Sequence, residues 1–129
     1  MTQEDRQILL KDLCERVPYG VKINENTQGD FTVIGLTMER VFTTCETEGC
    51  HNDFPIECVK PYLFPLSSMT EEQYDKLYID SRVKNDSIDI LDAPANDMDA
   101  IDWLNKNHFD YRGLIPMGLV IDATNLNIY

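Results

Sequence analysis

The sequence predicts an α+β protein: an N-terminal helix, a small SH3-like antiparallel β-barrel, and a C-terminal helical unit. Three features lead there. Apolar residues recur at helical spacing up to Val17, the period falls to two between Val21 and Leu63, and helical spacing returns after Ser68. The chain divides at residues 1–66, helix plus barrel, and 67–129, a helical unit packed on it. At 129 residues both fit one compact domain.

Thr2 is placed to cap the first helix, with Asp5 at its third position to favour the positive end. Leu9, Leu13 and Val17 stand four apart, with Leu10 and Cys14 alongside, as one apolar stripe. Pro18 and Gly20 stop it. Val21 and Ile23 then alternate with Lys22 and Asn24, and the polar turn at residues 26–30 leads to a second run, Phe31 to Leu36. Gly35 inside that run marks a bulge. Val41 to Cys45 is branched and suits a pleated surface. Phe54, Pro55 and Ile56 read as a short edge strand. A tight turn at residues 57–60 precedes a last barrel strand at Pro61, Tyr62 and Leu63.

Thr70 and Gln73 form a capping box, and Met69 and Tyr74 a hydrophobic staple, so a second helix is expected from near Glu71 to Arg82. Residues 84–95 read as a loop. Asn96 or Asp97 caps a third helix whose face carries Ile101, Leu104 and His108, with Met98 near its start. Asp110 is placed to cap one more turn before Pro116 and Gly118, and Leu119 to Ile121 form a final strand.

Formal net charge is −12, from 23 acidic and 11 basic residues. Such a field repels nucleic-acid phosphates, which argues against direct nucleic-acid binding, and it favours a basic partner or simply solubility. Residues 70–110 carry 11 acids against 4 bases, the densest excess in the chain. No apolar run is long enough for a membrane span, and the polar start Met1-Thr2-Gln3-Glu4-Asp5-Arg6 is unlike a secretory signal, so a cytoplasmic location is expected. In that reducing compartment Cys14, Cys45, Cys50 and Cys58 are expected to be free thiols.

Two blocks, Lys60-Pro61-Tyr62-Leu63-Phe64-Pro65-Leu66-Ser67-Ser68-Met69-Thr70-Glu71-Glu72 and Asp102-Trp103-Leu104-Asn105-Lys106-Asn107-His108-Phe109-Asp110-Tyr111-Arg112-Gly113-Leu114-Ile115, stand out together with Pro18-Tyr19-Gly20-Val21 and the N-terminal heptad. They resemble a family of short uncharacterised proteins from gut Bacteroidales genomes and their phages or mobile elements. The resemblance implies a cytoplasmic accessory protein associated with a mobile element. It brings no activity and no site residues with it.

Three constellations carry chemistry in principle. Cys45-x4-Cys50-His51-x6-Cys58 has metal-ligand types, but the first gap is at the limit for zinc. Neighbouring Cys50 and His51 also point to opposite sides of a strand, so no metal and no cofactor are expected. Cys50 or Cys58 with His51 lacks the third group that orients a thiolate–imidazolium pair. His108 and Asp110, with Asp99 and Asp102 nearby, offer a histidine–carboxylate pair, against the simpler reading of His108 as the end of a helix face.

Trp103, His108, Phe109, Tyr111 and Arg112 have the composition of an interface anchor, and packing of the third helix on the rest of the fold is the other reading of the same residues. No glycine-rich phosphate loop, no G-x-S-x-G and no basic stripe occurs. The leading expectation is therefore a non-enzymatic protein-interaction module using those five residues. An acidic nucleic-acid mimic that inhibits a DNA-binding enzyme is one alternative, and a small enzyme built on His108 with a carboxylate is another. A barrel this small also suits support from a second subunit, as a homodimer.

Overall fold

Helix α1, Gln3–Arg16, begins with a reciprocal capping box in the computed structural model, which describes residues 2–44, 51–73 and 98–129. Thr2 Oγ1 accepts the Asp5 N–H at 3.0 Å, and Asp5 Oδ2 accepts the Thr2 N–H at 3.3 Å. Its buried face carries Leu9, Asp12, Leu13 and Arg16, the spacing of one helical stripe with charge at half its positions. Cys14 lies outside that stripe and is exposed. A 3₁₀ turn, Val17–Tyr19, holds Pro18, and Gly20 at φ 72° ends the helix in the left-handed region that glycine enters without a Cβ penalty.

Four strands follow as antiparallel neighbours: β1 Lys22–Glu25, β2 Gly29–Leu36, β3 Arg40–Thr44 and β4 His51–Pro55. The turn between β1 and β2 is tied by Glu25 Oε2, which accepts from the Thr27 and Gln28 N–H groups and the Thr27 hydroxyl at 2.8–3.0 Å. The register of β2 on β3 shifts between Val33 and Gly35, the bulge expected at Gly35. After β4 a 3₁₀ turn, Ile56–Cys58, leads into β5, Val59–Pro65, which pairs antiparallel with β1.

The C-terminal segment adds helix α2, Met98–Lys106, and two short strands, β6 Phe109–Asp110 and β7 Ile121–Asp122, both parallel to β5. One peptide serves both: the Leu63 carbonyl accepts from the Ala123 N–H at 2.8 Å, while the Phe64 N–H donates to the His108 carbonyl at 2.8 Å. The two groups of a peptide point opposite ways, so β6 and β7 lie on opposite edges of β5.

The fold class is α+β, as expected, but the antiparallel barrel is not. The sheet is mixed and follows the open path β4-β3-β2-β1-β5-β6, with β7 also on β5. The physical reason lies in the C-terminal segment: β6 takes the β5 edge that a barrel would turn towards β4. The expected last strand also shifts, with Leu119 and Val120 buried in the core and the pairing residues Ile121 and Asp122.

The main core joins Leu9 and Leu13 of α1 to Val21, Ile23, Phe31, Val33, Val41, Phe54, Ile56, Val59 and Leu63 of the sheet region, and to Leu114, Leu119 and Val120 from the C-terminal segment. Leu104 and Phe109 centre a smaller cluster with Phe64, Leu66, Met69, Trp103 and Tyr111 around them. The Thr70–Gln73 box is formed, with Gln73 Oε1 accepting the Thr70 N–H at 2.9 Å and Thr70 Oγ1 accepting the Gln73 N–H at 3.1 Å. The rest of the expected second helix, the staple partner Tyr74, the loop at 84–95 and the caps Asn96 and Asp97 lie outside the described residues.

Candidate functional site

Helix α1 and the segment after α2 meet at a charged seam. Arg16 and Asp12, one turn apart on α1 and both fully buried, pair through Nε and Oδ2 at 2.9 Å. Arg112 Nη1 donates to the other oxygen of Asp12 at 2.7 Å, and its Nη2 to Glu15 Oε2 at 2.7 Å. The Tyr111 hydroxyl donates to Glu15 Oε2 at 2.7 Å, with Asn105 Oδ1 at 3.1 Å. Both guanidinium groups lie over the Tyr111 ring, Arg112 at 4.7 Å and Arg16 at 5.3 Å from its centroid.

The electrostatics follow from this packing. Burial works against the Glu15 charge, but bonds from Arg112 and Tyr111 outweigh it and hold the carboxyl below its ordinary range. Burial, then the bond to Glu15, pushes the Tyr111 phenol up to about 12. Asp12 is thus used through both oxygens in holding two arginines, and Glu15 through Oε2 in holding Arg112 and Tyr111.

His108 sits just beyond α2 with φ 63°, a left-handed conformation usually left to glycine or asparagine. Its ring stacks on Tyr129 with centroids 3.6 Å apart and planes 9° from parallel. Burial, then the charges of Arg16 and Lys22, lowers its pKa to about 4, so the imidazole is neutral near pH 7. Tyr129 in turn donates from its hydroxyl to the Tyr62 carbonyl at 2.7 Å and accepts the Lys22 N–H at 2.9 Å. Beside the stack opens a cleft of ≈ 380 Å³, with Phe64, Lys106 and Asn125 in its wall.

The histidine–carboxylate pair read from the sequence is not made. Both oxygens of Asp110 accept backbone N–H groups, from Leu114 and Ile115 at 2.9 Å each, and the carboxylate is buried. Asp110 thus acts as a cap, as expected, but the turn it caps runs through Pro116 and Gly118 rather than ending before them. Asp102 is exposed on α2, and the side chain of Asp99 lies outside the described residues.

The five residues expected to form an interface are brought together, with much of their surface turned inward. Phe109 is buried, and Trp103 stacks on it at 5.7 Å and 11°. Tyr111 and Arg112 belong to the seam, and His108 to the Tyr129 stack. Of the weak metal candidates, His51 and Cys58 are exposed and Cys45 and Cys50 lie outside the described residues. No cluster of three metal-ligating side chains occurs among the described residues. Among the same residues no helix is long and apolar enough to cross a membrane.

Sequence reasoning passed over a second surface. Ile34, Met38 and Phe42 are 52%, 82% and 39% exposed along the β2–β3 hairpin. Ile34 is the extra residue at the bulge, Met38 lies in the connecting turn, and Phe42 pairs with Gly35 and Asp53. A groove of ≈ 690 Å³ runs from this turn to α1, lined by Met38, Arg40, Arg6, Gln7 and Leu10 among others. The signal was present in Ile34 and Phe42, apolar residues on the face that period-two alternation assigns to water. Comparison with protein-family models, with curated proteins and with solved structures finds no match to this chain.

Proposed function

We propose that this chain is a non-enzymatic, cytoplasmic protein-interaction module, an accessory factor of a mobile element, that meets its partner through the outer face of the β2–β3 hairpin. The observation that carries the reading is the exposure of Ile34, Met38 and Phe42 on one hairpin. Large apolar side chains held in water on paired central strands are the usual mark of a surface awaiting a partner. The cross-strand neighbours of Phe42 are a glycine and a carboxylate, which leave its ring face uncovered. An SH3-like relationship is supported by the order β4-β3-β2-β1-β5 and the 3₁₀ turn before β5, an analogy of scaffold and not of site.

The net charge of −12 favours a partner with a basic surface, whose capture weakens as salt rises. The two other readings gain less. Asp12 and Asp110 are buried and Glu15 is paired with Arg112, so these carboxylates are not ranked along a surface as a nucleic-acid mimic requires. An enzyme built on His108 finds Asp110 committed to backbone groups.

Affinity capture from host cytosol tests the proposal, using the natural chain and an Ile34→Ser/Phe42→Ser variant at low and high salt. A protein retained by the natural chain at low salt and lost by a normally folded variant supports it. Equal retention by both removes the hairpin as the contact. Sedimentation of the purified chain distinguishes a second copy as the occupant, in which case the dimer dissociates in the same variant.

A further inference from the structure

Beside the His108–Tyr129 stack, the ≈ 380 Å³ cleft has a wall unlike the rest of this acidic chain. Among the described residues no lining side chain is a carboxylate, although 23 of 129 residues are acidic. Lys106 contributes an exposed ammonium that enters no ion pair among the described residues. Gln73 and Asn125 bring side-chain amides, and Phe64 an aromatic ring. The volume falls within the range of small-molecule sites.

We propose that this cleft binds a small planar organic monoanion, its charged group on the Lys106 ammonium and its ring against Phe64. A cation there would meet Lys106 with no side-chain carboxylate among the described wall residues to offset it. The negative end of α2 is the main objection, because helix C-termini repel anions. Here two of its last carbonyls are already bonded: Trp103 O accepts from Asn107 N–H and Nδ2, and Asn105 O from His108 N–H. After burial, Arg16 and Lys22 add to what disfavours the charged form of His108.

The backbone points the same way. His108 and Asn125, both in the cleft wall, adopt φ 63° and 64°. At His108 glycine would be the less strained residue, yet the chain places an imidazole there and backs it with Tyr129 as a flat wall. Neutral at pH 7, that ring offers a planar surface and a polar edge without a competing charge.

Benzoate is the probe, with benzyl alcohol and benzylamine as neutral and cationic comparators of similar shape. The reporter is the indole N–H of Trp103, the single tryptophan, whose ring stacks on the cleft residue Phe109. A saturable shift of that NMR signal with benzoate is expected, with Kd on the order of a few mM for so small a ligand. Benzyl alcohol should bind at least about tenfold more weakly and benzylamine not at all. Lys106→Met should reproduce the loss with its melting temperature unchanged, while Lys11→Met on α1 should bind as the natural chain does. No saturable shift up to about 50 mM benzoate, equal binding of benzylamine, or full affinity in Lys106→Met would each overturn the assignment.

Discussion

Arg16 Nη2 donates to the main-chain carbonyl of Phe109 at 2.6 Å, joining helix α1 to strand β6 across 93 positions of sequence. The same guanidinium binds Asp12 through Nε, and Asp12 in turn holds Arg112. A fully buried arginine is costly to desolvate, so its bonds must be kept as a set. The set ties together an N-terminal helix and a C-terminal strand that share no local sequence relationship.

Removing one member should therefore cost more than replacing the pair. Arg16→Met leaves the buried Asp12 with Arg112 alone and the Phe109 carbonyl without its donor, an expected loss of about 3–5 kcal/mol. Asp12→Leu/Arg16→Met removes the buried charges together and should recover part of that loss. Urea unfolding of the natural chain, Arg16→Met and the double variant measures it. A double variant no more stable than Arg16→Met contradicts the account.

Acid should weaken the fold in two stages. The unfolded imidazole titrates near 6.5 and the folded one near 4, because burial and two nearby cations hold His108 neutral. Between those values the unfolded chain binds the extra proton, so stability falls as pH drops from 6.5 to 4 and then levels. Screening at the part-exposed ring limits the loss to about 2 kcal/mol. Glu15, held below its ordinary range, adds a second loss as pH falls below 4.5, where unfolded carboxylates take up protons first. Chemical denaturation at intervals from pH 7 to pH 3, with His108→Gln as the comparison, isolates the first stage.

Alkali acts through the tyrosines. Burial and the neighbouring Asp30 carboxylate push Tyr62 up to about 12, burial and the bond to Glu15 do the same for Tyr111, and burial dominates at Tyr129. Each keeps its proton when folded above the pH at which the unfolded phenol, near 10, gives it up. Stability is thus intact below pH 10 and falls as pH rises beyond it. Absorbance at 295 nm should show these three of the six tyrosines ionising together with loss of the fold. Their titration at 10 in a fully folded chain would contradict the buried hydroxyl bonds.

Local signals were legible because local chemistry decides them. The Thr2–Asp5 and Thr70–Gln73 caps, the stop at Pro18 and Gly20, the bulge at Gly35 and the capping role of Asp110 each depend on residues a few positions apart. Long-range pairings were not. Nothing in the residues around Phe109 or Ile121 distinguishes a strand joining β5 in parallel from a helical continuation. The barrel expectation failed there. The seam was half visible: Asp12 and Arg16 share the face of Leu9 and Leu13, and an opposite-charge pair on an apolar stripe marks a buried ion pair. Reading only the apolar members of the stripe hid it. Tyr129 carried no signal, since a terminal tyrosine becomes meaningful only once Lys22, Tyr62 and His108 surround it.

The C-terminal segment should prove integral to the main core. Leu119 is 6% exposed and belongs to the same cluster as Leu9, Leu13 and Leu63, brought there by the turn that Asp110 caps. Leu119→Ala should destabilise the whole fold by about 2–5 kcal/mol in one cooperative transition. Met117→Ala, two residues earlier and about half exposed, should change stability by less than about 0.5 kcal/mol. Far-UV circular dichroism reports the sheet and Trp103 fluorescence reports the smaller cluster around Phe109, so the two signals distinguish the cases. Coincident transitions shifted equally by Leu119→Ala mean one cooperative unit. If the fluorescence transition alone moves, the C-terminal segment folds apart from the sheet, and the bonds from Arg16 and Leu63 to it are too weak to couple them.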